Sequence, residues 1–422
     1  MRLLFLCHGH PDLQAGGTEV ASLALFRALR RQPRVEGLFL AGVSGLHRPA
    51  SPGTPFQAIG EAPDELLMRT EAFDRFFVSQ TDLYGVGQEF RGLLADLRPD
   101  IVHMHHPLLH GVEALQAIRD AHPAARIVLT LHDYYAICAN EGLMRTTDGR
   151  LCRAASVDAC RRCQPERSAT EFRLRELHIR GMYRLVDRFV SPSHVLRERH
   201  VAWGLPPDSI AVLPNGLPPA DPAPHRALPA GGRRDRFAYF GHISPSKGAL
   251  VALGASALLS QQGVDHGLAL HGGTAFQTEA FLGEFAARLA AAPDARHHGA
   301  YAREEIAARI AAADWVVVPS VWWENAPLVI QEAFLHRRPV ITSGIGGMAE
   351  AVRDGVDGLH VPPDDPAALA AMLRRAAEEP GLWQRLVAGI RPPPTPEDAA
   401  RDHLALYEGL LGRRAARARR AA

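Results

Sequence analysis

Long apolar runs are missing from this 422-residue sequence. None reaches the ~18 residues that a membrane-crossing helix needs. The opening Met1–Cys7 is too short for the apolar core of a secretory signal and runs straight into polar residues. A surplus of either charge is missing too, since 47 Lys+Arg stand against 46 Asp+Glu for a net charge of +1. A dedicated nucleic-acid binder carries a strong basic excess, so no nucleic-acid partner is expected. Aromatics are scarce at 7%, but 47% hydrophobic and 22% charged residues exclude a disordered or fibrous chain. Together these absences predict a soluble, cytoplasmic protein. Neither half carries the G-x-G-x-x-G fingerprint, which disfavours a nicotinamide dehydrogenase. No Asp-x-Asp pair stands at a predicted strand end, so no metal or cofactor is expected to be required for chemistry. Twenty-one His and five Cys are what composition leaves open.

What is present is alternation. Arg2–Cys7, Gly37–Ala41, Ile101–His105, Arg126–Leu131, Arg188–Pro192 and Ile210–Leu213 are short runs rich in Val, Ile or Leu, with helical patterns such as Gly17–Arg31 between them. Such runs suit strands buried on both faces of a parallel sheet. Segment 216–235 is too rich in Pro and Gly to hold a regular element and reads as a linker. Alternation restarts with strands at Arg236–Gly241, Gly267–Gly272, Trp315–Pro319, Pro339–Thr342 and Gly358–Val361, and helices at Lys247–Gln262 and Pro366–Glu379. Asp365 N-caps the last of these, with Pro366 in its first turn. A final helix follows Pro392–Pro394.

The expected fold is α/β, two doubly wound Rossmann-like domains facing a cleft. Residues 1–215 form the first domain, 236–395 the second, and 396–422 a helix that crosses back to the first, with a basic tail. Ligands of such sheets sit beyond the carboxyl ends of the strands.

The strongest local signal is Pro319–Ala333, where a strand end, a loop with Glu324 and a helix with Glu332 follow one another. A helix N-terminus offers free N–H groups to phosphate. A carboxylate two turns on can accept hydrogen bonds from sugar hydroxyls. Near Tyr239–Gly248, a Gly at a strand end and Lys247 opening a helix form a candidate pyrophosphate clamp. After the first strand, Gly16-Gly17 would let backbone approach a ligand closely.

These motifs resemble the retaining glycosyltransferases of family 4, built on the two-Rossmann glycosyltransferase-B fold. Glu324, seven residues, Glu332, then Arg337-Arg338-Pro339-Val340-Ile341 follow that family's pattern, as do Gly346–Glu350 and Asp354–Leu359. The family's Glu-Gly-Phe-Gly is here Glu324-Asn325-Ala326-Pro327, and its Arg is here His242. The resemblance implies that Glu324 lies by the donor sugar and Glu332 binds the nucleotide ribose. Backbone at Asn325, Ala326, Pro327 and Leu328 would follow the sugar and phosphates, and Lys247 with His242 would meet the diphosphate. Gly16 and Gly17 would cover the donor phosphate. His132-Asp133 matches the family's His-Asp, with His132 at the donor sugar or orienting the acceptor. His105 and Asp133 belong to the acceptor side, although His103, His105 and His106 read more readily as satisfied or merely exposed histidines.

The implied activity moves a sugar from a nucleoside-diphosphate sugar to a saccharide, lipid-linked or small-molecule hydroxyl acceptor with retention, in cell-envelope polysaccharide or glycolipid synthesis. An epimerase or phosphorylase on the same fold and a non-catalytic sugar-nucleotide binder remain alternatives. Cys138, Cys152, Cys160 and Cys163 gather in one insert, and four thiols in a cytoplasmic chain point to structural zinc, unliganded thiols or an iron–sulfur cluster. Arg167, Arg173, Arg175, Arg180, Arg184 and Arg188, with the tail arginines 413, 414, 417, 419 and 420, read either as solvated faces or as peripheral contact with anionic lipid at the inner membrane face.

Overall fold

In a computed structural model, residues 1–14, 16–45, 48–49 and 51–421 are described, with side chains through Gly412. The arginines of the tail therefore lie outside the described side chains. The chain divides into two units, Met1–Pro218 with Pro394–Ala422, and Pro219–Pro393.

The first unit runs β1 (Arg2–Cys7), α1 (Gly17–Arg30), β2 (Glu36–Val43), β3 (Phe56–Ala58), β4 (Glu65–Arg69), then a short pair β5 (Phe73–Asp74) and β6 (Ser79–Gln80). It continues through α2 (Val86–Leu97), β7 (Ile101–Met104), α3 (Ala114–Ala121), β8 (Arg126–Thr130), α4 (Val157–Cys163), α5 (Ala169–Tyr183), β9 (Arg188–Ser191), α6 (His194–Trp203) and β10 (Ile210–Val212). Strand order is β10-β9-β8-β7-β1-β2-β4-β3, parallel except where β3 meets β4. All of Ile101–Met104 is buried, as a strand covered on both faces requires.

The second unit holds β11 (Arg236–Phe240), α7 (Ala249–Gln261), β12 (Gly267–His271), α8 (Glu279–Ala290), β13 (Ala295–His297), α9 (Ile306–Ala311) and β14 (Trp315–Val318). It ends with α10 (Leu328–Leu335), β15 (Val340–Ser343), α11 (Gly346–Ala351), β16 (Gly358–Val361), α12 (Pro366–Glu378) and α13 (Leu382–Gly389). Its sheet is wholly parallel in the order β13-β12-β11-β14-β15-β16. Alternation places Phe237, Tyr239, Trp315 and Val317 in one core and Ala238, Phe240, Val316 and Val318 in the other. Asp365 caps α12 by accepting from the Ala368 amide at 2.9 Å.

The last helix, α14 (Pro396–Ala421), returns to the first unit, where Ala399, Ala400 and Tyr407 join the core with Leu3, Phe5 and Phe26. Segment 216–235 has no regular helix or strand, yet from Pro219 onward it is packed into the second unit. Fully buried Arg338 donates to the carbonyls of Ala223 at 3.2 Å and Pro224 at 2.6 Å, and Arg226 pairs with Asp314 at 2.6 Å. Proline removes backbone donors, so side-chain guanidinium groups secure what a hydrogen-bonded ladder cannot.

Both sheets reverse strand order at one strand. In the first, β1 lies between β2 and β7, and in the second, β11 lies between β12 and β14. Crevices for ligands form beyond the carboxyl ends at such points.

Candidate active site

In the first unit, histidines crowd the carboxyl ends of β1, β7 and β8. Register sets Leu6 beside Met104 and Met104 beside Leu129, so the residues that follow emerge at one level. They are His8, His105 with His106, and His132 with Asp133. His105 Nδ1 lies 3.0 Å from His132 Nε2, and His106 Nε2 lies 2.9 Å from Asp133 Oδ2. Asp133 Oδ1 also accepts from the Tyr135 amide at 2.7 Å. Burial opposes the Asp133 charge, but His106 and that amide outweigh it and hold the pKa at about 2. Burial drives His132 the other way, down to about 3, with His106 and His8 adding to the effect. His132 is thus a neutral ring beside a charged carboxylate.

His8 Nε2 meets Glu19 Oε1 at 3.0 Å, and its ring lies 4.8 Å from that of His106. Burial works against the charge on His8, but Glu19 wins and raises its pKa well above the ordinary histidine value. The glycines explain how Glu19 reaches back. A Cβ on Gly16 would lie 2.3 Å from Glu19 Oε2, and one on Gly9 would lie 3.0 Å from Oε1. Glu19 stands in the first turn of α1, where the helix end favours an anion. His103 serves the core, bonding Tyr407 Oη at 2.6 Å and Thr130 Oγ1 at 2.7 Å.

In the second unit, Glu324 and Lys247 come together. Glu324 is 5% exposed, and its Oε1 accepts from Lys247 Nζ at 2.7 Å, Ser320 Oγ at 2.8 Å and Trp322 Nε1 at 2.9 Å. The Lys247 ammonium also lies 5.5 Å from the Trp322 ring centre, within cation–π range. Because the Lys247 side chain is 34% exposed, its remaining donors can reach a ligand. Lys247 does not open α7 as expected. Gly248 takes the left-handed φ of 76° as N-cap, so Lys247 ends the preceding turn. Gly248 is required there, since a Cβ would lie 1.9 Å from the Pro319 carbonyl oxygen.

The loop after β14 is pinned at its other end by the Gly347 amide, which donates to the Glu324 carbonyl at 2.7 Å. A Cβ on Gly347 would meet the Asn325 carbonyl oxygen at 1.4 Å, so only glycine permits this approach. Asn325 is buried, Ala326 and Pro327 complete the loop, and Leu328 begins α10.

Glu332 stands apart from that pair, on α10. Its carboxyl takes no hydrogen bond from the described residues. Burial raises its pKa, opposed by the Arg303 charge, and Tyr301 senses its field. His242 is exposed and is not joined to Lys247; its Nε2 lies 3.0 Å from Gln277 Nε2. Ser320, Trp322, Tyr301, Arg303 and the His8–Glu19 pair were not singled out in the sequence. Their position at or just beyond strand ends was the available signal.

The four insert cysteines line one pocket, and all are free thiols. The arginines of 167–188 do not form one face. Arg175 is 3% exposed and donates inward to the carbonyls of Phe76 and Ala136, leaving Arg173 and Arg184 as the exposed ones. Among the described residues, no helix is long and apolar enough to cross a membrane.

Comparison with known proteins adds to this geometry. The profile of glycosyl transferases group 1 matches residues 234–379, and that of Glycosyltransferase Family 4 matches residues 15–221. A D-inositol 3-phosphate glycosyltransferase of Thermomonospora curvata is 32% identical over 230 residues, 50% of this chain and 52% of that protein. One from Streptomyces bingchenggensis is 39% identical over 108 residues, 26% of this chain and 24% of that protein. The chain thus matches between a quarter and a half of the length of these relatives. Among solved structures, Anabaena HepE in complex with UDP and glucose aligns with TM-score 0.64 and 17% identity, over 97% of this chain and 99% of that one. Sucrose-phosphate synthase from Thermosynechococcus elongatus aligns with TM-score 0.67 and 20% identity, over 98% and 100%. These likenesses show the fold, two α/β domains with parallel sheets. With one profile on each unit, the chain belongs to the group 1, family 4 glycosyltransferases.

Proposed function

We propose that the protein transfers a sugar from a nucleoside-diphosphate sugar to a hydroxyl acceptor with retention at the sugar carbon. The observation that carries this reading is the buried Glu324 carboxylate held by Lys247, Ser320 and Trp322 beside the α10 N-terminus. Lys247 supplies fixed positive charge where a departing diphosphate gathers negative charge, the kind of preorganised stabilisation that lowers a barrier most. Glu324 keeps that ammonium in place and stands by the donor sugar. Glu332, a half-buried carboxyl without a hydrogen-bond partner among the described residues, accepts from the ribose hydroxyls. Asn325–Leu328 backbone lines the sugar and phosphates, His242 adds a donor at their edge, and Gly16-Gly17 give backbone access on the first unit.

On that unit, His132 and His105 are neutral rings suited to bonding sugar hydroxyls, and Asp133 is a fixed charge that orients His106. UDP-sugars are the first donors to test, given the UDP complexes of HepE. An acceptor bearing phosphate is the first to test, given the inositol-phosphate relatives. A role in cell-envelope glycan synthesis would place the acceptor at a membrane, and the exposed side of α5 offers Arg173, Leu174 and Leu177, with Arg184 just past its end, for peripheral contact with anionic lipid. Flotation with anionic and neutral vesicles reads that contact directly.

The deciding experiment incubates the protein with nucleotide sugars, with and without acceptors. Free nucleoside diphosphate that appears only with acceptor, and a product of unchanged anomeric configuration by NMR, are the expected results. Nucleotide release without acceptor, or an inverted product, contradicts the reading.

A further inference from the structure

The insert between β8 and α5 is buried only in its first part, where Tyr134–Cys138 and Met144 are covered, whereas residues 145–164 bury none of their side chains. Its helix α4 buries none of its residues. Its other ordered parts are a tight turn at Thr146–Arg150 and an isolated bridge between Arg145 and Leu151. Segments this small with so little apolar burial are usually held by disulfides or a metal ion. Hydrogen bonds nonetheless tie its backbone at both ends. The Cys138 amide donates to the Tyr134 carbonyl at 2.8 Å, the Cys152 amide donates to the Met144 carbonyl at 2.7 Å, and Gln164 Nε2 ties the end of α4 to the Ala139 carbonyl at 3.0 Å.

What these contacts achieve is convergence. Cys138 comes from the turn after β8, Cys152 from the residue that follows the bridge, and Cys160 with Cys163 from one face of α4, three positions apart. All four line a single pocket of about 20 Å³, enough for one ion or one water. The rest of its lining is small or apolar, Met144, Ala159 and Phe172 among it, and Arg145 supplies positive charge. None of the thiols is in a disulfide. As they stand, no three His, Cys, Asp or Glu side chains among the described residues are set to hold a metal. Closing the four thiols on an ion at ~2.3 Å requires rotation at χ1, in which the Cys138 thiol gives up its contact with the Asn140 carbonyl at 3.8 Å.

We propose that Cys138, Cys152, Cys160 and Cys163 form a tetrathiolate site for a zinc-class divalent ion, which clamps the insert beneath the turn bearing His132 and Asp133. Four thiols release four protons and supply four Zn–S bonds, leaving a site of net charge −2. Arg145 at the pocket and buried Arg175, which donates to the carbonyls of Tyr135 and Ala136, offset that charge. The link to the first unit's histidine edge is covalent and short, because Tyr134 and Tyr135 separate Asp133 from the buried turn that ends in Cys138. The ion is structural, since four protein ligands leave no open position for substrate.

The test is elemental analysis of the full chain purified without chelator, together with thiol titration and intact mass. The expected result is one zinc per chain that survives desalting and is released by a mercurial reagent. Cys160→Ser and Cys163→Ser should each lose the zinc and unfold at lower temperature, while Cys7→Ser, in β1, should keep it. Hydrogen exchange at residues 134–163 should rise when zinc is removed from the wild-type protein, a readout that needs no substrate. Five reactive thiols with no bound metal overturn the proposal. So does a mass showing two disulfides, or bound iron in place of zinc.

Discussion

The carboxyl ends of the two sheets carry opposite chemistry. In the second unit the centre is a fixed charge pair, a buried carboxylate satisfied by an ammonium, a hydroxyl and an indole. In the first it is a histidine cluster in which burial holds His132 near 3, beside the charged groups His8, Glu19 and Asp133. A diphosphate needs positive charge at the leaving oxygen, the role proposed for Lys247. Hydroxyl recognition needs donors and acceptors that do not attract counter-ions, which neutral imidazoles provide. Under the proposed function, donor and acceptor would thus meet sheet edges that differ in protonation state.

The largest effect that could break this comparison lies at the charge pair. Lys247→Ala leaves the Glu324 carboxylate buried without its cation, and Glu324→Gln removes the anchor of the ammonium. Each should lower turnover about 100-fold or more, as loss of a transition-state charge partner does, while circular dichroism stays unchanged. His132→Ala should cost less, about 10-fold in turnover, and should act through the acceptor.

A third test sharpens the comparison through pH. Burial holds His110, His200 and His403 of the first unit near 4, and His132 near 3, against an unfolded value of about 6.5. These rings bind protons less readily when folded, so their contribution is full above about 6.5 and is lost as pH falls towards 4, on the order of 3 kcal/mol for each fully titrated ring. His8 has the opposite sign. Its raised pKa contributes below the unfolded value and is lost as pH rises through the folded one. Hydrogen exchange followed from pH 7 downward should therefore show the first unit opening before the second, where burial brings His271 down to about 4.

The smallest effect concerns Arg337, which holds a left-handed φ of 57° just past α10. Arg337→Gly should raise stability by about 0.5–1 kcal/mol, seen as a melting point a few degrees higher. An unchanged or lower melting point would mean that the Arg337 bond to the Ile390 carbonyl at 3.2 Å outweighs the backbone gain.

Much of this was readable in the sequence. Buried parallel strands are continuous apolar runs, so β1 is found at its full length and β7, β8 and β9 within a residue at the carboxyl end. What could not be read depends on contacts distant in sequence. Ser320 and Trp322 matter because they share Glu324, and His8 matters because Gly9 and Gly16 let Glu19 fold back. Arg175 looked like one of a basic series, and only the carbonyls of Phe76 and Ala136 show that it points inward. Gly248 shifts Lys247 out of its helix because Pro319 passes too close for a side chain.

The most direct test of the central claim is calorimetric binding of UDP to the wild type, Lys247→Ala and His132→Ala. A fixed-charge donor seat in the second unit predicts that Lys247→Ala weakens UDP about 10-fold or more while His132→Ala leaves the Kd unchanged. Equal losses in both variants, or unchanged binding in Lys247→Ala, would contradict it.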